Sequence, residues 1–199
     1  MKKRIAKVFR KTGETDIQLK INLDGEGKSN IKIELPFLNH MLTLFCMHGF
    51  FDLDVSMKGD LEVDTHHSME DLGICLGRAI KEAAGDKAGI NRYGYFLLPM
   101  DEALVRVVID LSGRGRLFFK IPCENINRIS NIDGEVWEEL FAALAYEGGI
   151  TLHIELLSGK NTHHILEAIF KAFARALDQA LSEEERLSRV IPSTKGILS

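Results

Sequence analysis

The hexapeptide Thr65-His66-His67-Ser68-Met69-Glu70 returns as Thr162-His163-His164-Ile165-Leu166-Glu167. Self-similarity of this kind constrains a fold more than any local propensity, because each copy must occupy an equivalent structural position. The similarity extends beyond the hexapeptide. Downstream, Leu72, Cys75, Leu76, Ala79, Ile80 and Ala83 follow i, i+3, i+4 spacing, and Ile169, Ala172, Phe173, Ala176, Leu177 and Ala180 match them in register. Upstream, Met41, Leu42, Phe45 and Gly49 correspond to Leu140, Phe141, Leu144 and Gly148. The chain is a doubled unit, with residues 1–90 as the first half and 91–199 as the second, forming one compact body.

The two halves share one order of elements. Residues 2–10 read as a strand, alternation at Ile17, Leu19, Ile21 and Leu23 marks a second, and Ile31, Ile33 and Leu35 mark a third. A helix near 38–48, a strand near 51–57 and a helix near 66–84 follow. The second half repeats this with strands near 93–98, 103–111 and 116–121, a helix near 134–147, a strand near 150–157 and a helix near 163–181. Thr65 and Thr162 stand in N-cap positions of the two His-His helices. The fold class is α+β. Each half is a four-stranded sheet with two helices on one face, and the helical faces of two such layers bury each other.

Bulk properties exclude several classes. A composition of 45% hydrophobic and 27% charged residues is that of a soluble globular chain. A net charge of −4 gives no basic field for nucleic acid or anionic membrane. No apolar run approaches the roughly 20 residues of a membrane span, and polar residues follow Met1-Lys2-Lys3-Arg4 where a signal peptide needs an apolar core. A cytoplasmic protein is expected. Cys46, Cys75 and Cys123 form no CxxC pair and read as small buried residues.

The repeated motif carries the chemistry. On a helix, Glu70 shares a face with either His66 or His67, whereas adjacent histidines diverge by about 100°. Two metal ions, each drawing ligands from both copies, satisfy that geometry better than one. Imidazole with carboxylate and no thiolate suits manganese, iron or zinc. His40, one helix upstream of the first copy, is a further candidate. His48 and His153 lie outside the motif, and His153, alternating along a strand, reads as structural.

The segments Phe37-Leu38-Asn39-His40-Met41-Leu42, THHSMED at 65–71, NRYG at 91–94, PMDEAL at 99–104, DLSGR at 110–114, THHILEAIFKAFARAL at 162–177 and STKG at 193–196 resemble the imidazoleglycerol-phosphate dehydratase family. The resemblance covers nearly the whole chain in order. It implies dehydration of imidazole glycerol phosphate to imidazole acetol phosphate in L-histidine biosynthesis. It also implies two Mn(2+) ions per subunit and a ribosomal protein S5 domain 2-like duplication, with two four-stranded sheets flanking a four-helix bundle. The implied assembly is a closed homo-oligomer of roughly 24 subunits built from trimers. The metal ligands carried over are His40, His66, His67, Glu70, His163, His164 and Glu167. Where the family pattern has an eighth, histidine ligand, this chain has Glu139, and the internal repeat also aligns Glu139 with His40. A carboxylate can serve such an ion, with added negative charge. Asn39 replaces the aspartate usual beside the ligand histidine.

The reaction explains the remaining residues. The hydrogen removed from the side chain is not acidic, so charge stabilisation on the imidazole ring and a carboxylate that moves the proton are both required. The resemblance puts Glu14 at the substrate, with Asp101 as the alternative acid/base group or ligand orienter. It also implies phosphate binding by Arg92, Arg114, Ser193, Thr194 and Lys195, the arginines through bidentate forks, with Lys171 and His48 as further substrate contacts. A dinuclear phosphohydrolase would need an aspartate-rich motif such as DxH or GDxxD, and none organises this site. A non-catalytic metal-binding shell protein is the second rival, but it has no use for the arginines, STKG or Glu14.

Overall fold

The computed structural model describes residues 4–187 and 190–198. The first half runs β1 (Ile5–Lys11), β2 (Thr15–Asn22), β3 (Ser29–Ile33), α1 (Pro36–Gly49), β4 (Asp52–Gly59) and α2 (His66–Ala84). The second runs β5 (Tyr93–Met100), β6 (Ala103–Asp110), β7 (Arg116–Lys120), α3 (Val136–Gly148), β8 (Thr151–Ser158) and α4 (Thr162–Leu181). The sheets have equivalent orders, β1-β2-β4-β3 and β5-β6-β8-β7. In each, one pair is parallel, β3 with β4 and β7 with β8, and the intervening helix supplies the crossover that a parallel pair requires. The expected strand over 2–10 begins at Ile5, its first two residues lying outside the described ones. The third strand stops at Ile33 because Pro36 opens α1, where its fixed φ and missing N–H are tolerated.

The core lies between the sheets. β2 buries Thr15, Ile17, Leu19 and Ile21, and β6 buries Ala103, Val105, Val107 and Ile109, all on the face that meets the helices. The apolar stripes anticipated on α2 and α4 are buried residue for residue. Each fully buried Leu, Ile or Phe stabilises the fold by about 1.5–3 kcal/mol before entropy is charged against it. Helices pack across the halves, α2 against α3 and α1 against α4. Gly73 and Gly77 set the first of these contacts: a Cβ on Gly73 would lie 2.4 Å from the Leu140 carbonyl oxygen, and one on Gly77 2.5 Å from that of Leu144. In α4 the position of Gly73 is held by Phe170, which packs on Trp137 and Phe141 of α3. The duplicated frame is thus filled asymmetrically.

Two expectations need correction. Thr65 is the N-cap residue of α2, as expected, but its side chain makes no capping bond, whereas Thr162 is already helical and Asn161 is the N-cap of α4. In both helices the residue before the threonine accepts the first N–H groups. Asp64 accepts from the His66 N–H at 2.7 Å, and Asn161 accepts from the N–H groups of His163 at 2.9 Å and His164 at 3.5 Å. Short Asp and Asn side chains satisfy a helix start better than Thr. Second, Cys123 is exposed, in a single 3-10 turn over Cys123–Asn125, whereas Cys46 and Cys75 are buried. Among the described residues no helix is long and apolar enough to cross a membrane.

Candidate metal centre and substrate pocket

The helix starts bring the repeated histidines to the edge of the core. His40, projecting from α1, meets the first turn of α4. Its Nε2 lies 2.8 Å from Glu167 Oε1, and His163 Nε2 lies 3.1 Å from the same oxygen. The donor atoms of His40, His163 and Glu167 all fall within 4.8 Å of one another. Phe37 packs edge-on against both rings and separates them from Trp137 in the core. Lys171, one turn along α4, donates to Glu167 Oε2 at 2.6 Å. Burial alone would raise the Glu167 carboxyl, but hydrogen bonds from Lys171, His40 and His163 outweigh it and hold the group at about 2. Two imidazole nitrogens and one carboxylate, without thiolate, fit a manganese-, iron- or zinc-type ion.

The first copy is laid out more loosely. His66 Nε2 lies 3.7 Å from Glu70 Oε2, too long for a hydrogen bond. Glu139 is exposed on α3. Among the described residues His40, His163 and Glu167 are the one donor cluster of metal-binding dimensions. The adjacent rings stand with centroids 6.2 Å apart for His66 and His67 and 6.3 Å apart for His163 and His164, their planes meeting at 89° and 81°.

The second histidine of each copy meets carboxylates at both nitrogens. His67 Nδ1 is 2.9 Å from Asp60 Oδ2, and its Nε2 is 3.7 Å from Glu14 Oε1. His164 Nδ1 is 2.7 Å from Glu102 Oε2, and its Nε2 is 3.7 Å from Asp101 Oδ2. These close hydrogen bonds raise both histidine pKa values above the ordinary range. Glu102 also accepts from the N–H groups of Asn161 at 2.8 Å and Lys160 at 3.2 Å, and these bonds with the one from His164 hold its carboxyl at about 2. Asp60 and Glu102 were not singled out from sequence. Their signal was faint, one acidic residue ending a strand and one next to the more conspicuous Asp101.

Glu14 is delivered by the β1–β2 turn. Thr12 Oγ1 accepts from the N–H groups of Glu14 and Thr15, and Asp71 of α2 receives Thr15 Oγ1 and an ion pair from Arg10 at 2.8 Å. The buried Asp71 thereby pins the hairpin to the helix that carries His67. Asp101, at φ 49°, occupies the left-handed region that aspartate tolerates better than most residues. His48 ends the same α1 face as His40. Burial, then the charges of Lys171 and Arg175, push its pKa down, so it is neutral near pH 7.

The C-terminal segment returns to the start of β5 and forms one wall of an open cleft of about 870 Å³, lined among others by Arg92, Arg114, Ser193, Thr194 and Lys195. Arg92 is occupied differently from the expectation of a free fork. Its Nε and Nη2 donate to Asp110 at 2.7 and 3.2 Å, and its Nη1 to the Pro192 carbonyl at 2.8 Å. Arg92 therefore ties the tail to the sheet, and its backbone at φ 70° is held in place by those bonds. Lys171 lies with Glu167 and Met100 Sδ, at the metal cluster. His153 stacks on Phe118 at 4.2 Å on the outer sheet face.

Fold and site together define a duplicated α+β protein that clusters imidazole and carboxylate donors at the start of α4 and carries a cationic pocket toward the other end of that helix, where the Arg92 N–H donates to the Ala180 carbonyl. A model of the family described as imidazoleglycerol-phosphate dehydratase matches residues 33–177. The chain is 57% identical over 193 residues to the imidazoleglycerol-phosphate dehydratase of Acetivibrio thermocellus, covering 96% of this chain and 97% of that protein. It is 56% identical over 195 residues to that of Caldanaerobacter subterraneus, covering 98% and 100%. Crystal structures of the enzymes of Staphylococcus aureus (TM-score 0.81, 40% identity, covering 90% of this chain and 99% of that one) and Pyrococcus furiosus (TM-score 0.82, 36% identity, 96% and 100%) share the fold. The chain belongs to the imidazoleglycerol-phosphate dehydratase family, and it is a lyase.

Proposed function

We propose that this chain removes water from imidazole glycerol phosphate to give imidazole acetol phosphate, a step of L-histidine biosynthesis, with two Mn(2+) ions per subunit. The observation that carries the reading is the His40–His163–Glu167 cluster, whose donor atoms lie within 4.8 Å of one another at the start of a repeated helix. When bound, the metal ions supply Lewis-acid stabilisation of charge on the imidazole ring and template it. His40, His163 and Glu167 hold one ion, and His66, His67, Glu70, Glu139 and His164 provide the remaining ligands.

The chain's own groups do the rest. Glu14 moves the proton at the substrate carbon, a reading supported by its position 3.7 Å from His67 Nε2 with no tighter side-chain partner among the described residues. Asp101 is the second candidate. Arg114, Ser193, Thr194 and Lys195 bind the phosphate through guanidinium, hydroxyl and ammonium donors, while Arg92 fixes the segment that carries them. Lys171 and His48 face the substrate along the α1–α4 seam. The working form is a closed homo-oligomer of roughly 24 subunits built from trimers, in the cytoplasm. Incubating pure, manganese-loaded protein with imidazole glycerol phosphate tests the reading. Ketone formation without phosphate release supports it, whereas phosphate release points to the dinuclear hydrolase.

A further inference from the structure

Aligning the buried faces of β2 and β6 pairs Thr15 with Ala103 and Ile17 with Val105, which makes Glu14 and Glu102 equivalent residues of the two hairpins. Their side chains nevertheless address opposite nitrogens of equivalent histidines. Glu102 sits 2.7 Å from His164 Nδ1, whereas Glu14 stands 3.7 Å from His67 Nε2. In the first half the Nδ1 position is taken instead by Asp60, at 2.9 Å, from the residue just after β4. The residue just after β8 is Gly159, which has no side chain to offer. Two unrelated positions thus reach one geometry, a carboxylate on the Nδ1 of the second histidine.

We infer that Asp60 and Glu102 are positioning residues that fix the tautomer and the ring direction of His67 and His164. An ionised carboxylate only accepts hydrogen bonds, so in the neutral ring each Nδ1 carries the proton and each Nε2 is left with its lone pair outward. A metal-ligating imidazole is generally oriented in this way by an acceptor behind it. The two anchors are built differently. Glu102 is fixed by the N–H groups of Lys160 and Asn161, the residue that caps α4, so the turn, the helix start and the ring form one unit. Among the described residues, Asp60 has its other oxygen buried with no partner and His67 as its only side-chain hydrogen bond. The division also leaves Glu14 untied. This inference rests on the metal reading above, but the ring state can be measured without metal.

The test uses the full-length chain carrying Asp60→Ala or Glu102→Ala, with Asp60→Asn and Glu102→Gln as conservative partners whose amide oxygen still accepts from Nδ1–H. Magic-angle-spinning NMR of metal-free, 15N-histidine-labelled protein at alkaline pH reports the tautomer of each ring. The parent is expected to hold His67 and His164 as Nδ1–H, and each alanine variant to shift its own histidine toward Nε2–H. Manganese affinity by competition titration is expected to fall about 10- to 100-fold in the alanine variants and to recover largely in the amide variants. A parent with Nε2–H at these rings overturns the inference, as do alanine variants that bind manganese at parental affinity. Should an alanine variant fail to fold, the parental spectrum and the amide variants still decide. If the parent shows the Nδ1–H tautomers but binds no manganese, the metal reading fails and the orienting role stands.

Discussion

Glu14 and Glu102 occupy equivalent hairpin positions, yet Glu102 is locked onto His164 Nδ1 at 2.7 Å while Glu14 stands off His67 Nε2 at 3.7 Å. Duplication created two similar carboxylates, and the structure has given one an anchoring task and left the other uncommitted. A proton carrier needs the second condition, since a carboxylate bound by three hydrogen bonds is stabilised as the anion and is a poor base.

Glu14→Gln should therefore lower kcat by about 100-fold or more, with metal content and assembly size unchanged. Steady-state kinetics alongside metal analysis measures both. A near-normal kcat in this variant would transfer the role to Asp101, with Asp101→Asn the next variant to assay.

Glu139 is the one expected ligand where the family pattern has histidine, and it stands exposed at the repeat position of His40. Glu139→His places an imidazole on α3 at the position the repeat aligns with His40, where the family pattern has histidine, and removes a negative charge there. The variant should bind manganese at least as tightly as the parent, as read by competition titration. Loss of one metal per subunit would contradict the assignment.

The hydrogen bonds from Asp60 and Glu102 raise the pKa values of His67 and His164 above the usual value of about 6.5 in the metal-free protein. Manganese must displace those protons, so its affinity should begin to fall, as pH is lowered, already above pH ~6.5. Folding stability has the opposite sign. A raised histidine pKa contributes stability fully present below about 6.5, and this is lost as pH rises through the folded value. Thermal unfolding of metal-free protein and manganese titrations across that range check both. An affinity independent of pH down to about 6.5 would refute the linkage.

Gly73 has backbone against its open side. Gly73→Ala forces the α2–α3 contact apart, because the new Cβ would meet the Leu140 carbonyl oxygen at 2.4 Å. Overpacking of this kind costs about 1–3 kcal/mol. A lowered Tm is expected, and an unchanged Tm would show that α3 can shift at no cost.

The fold was legible because the periodicities were clean and doubled: the stripes through Leu72–Ala83 and Ile169–Ala180 located α2 and α4, and the hexapeptide fixed their relation. The site was legible where it obeys the repeat, as with His163 and Glu167 one helical turn apart. It was opaque where function departs from symmetry. Asp60 and Glu102 share no motif position, so no pattern linked them to His67 and His164. Arg92 looked like a free cation because the sequence gives no sign of Asp110 folding onto it. Thr162 hid the cap at Asn161, and Asp64 rather than Thr65 accepts the His66 N–H, since Thr, Asp and Asn are all reasonable N-cap residues.

The central claim is that the clustered histidines and glutamates act through bound metal. The most direct measurement is ketone formation by one preparation of protein before chelation, after chelation with metal analysis, and after addition of manganese. The account predicts activity lost with the metal and restored by manganese. Full activity in protein shown to be free of metal would contradict it.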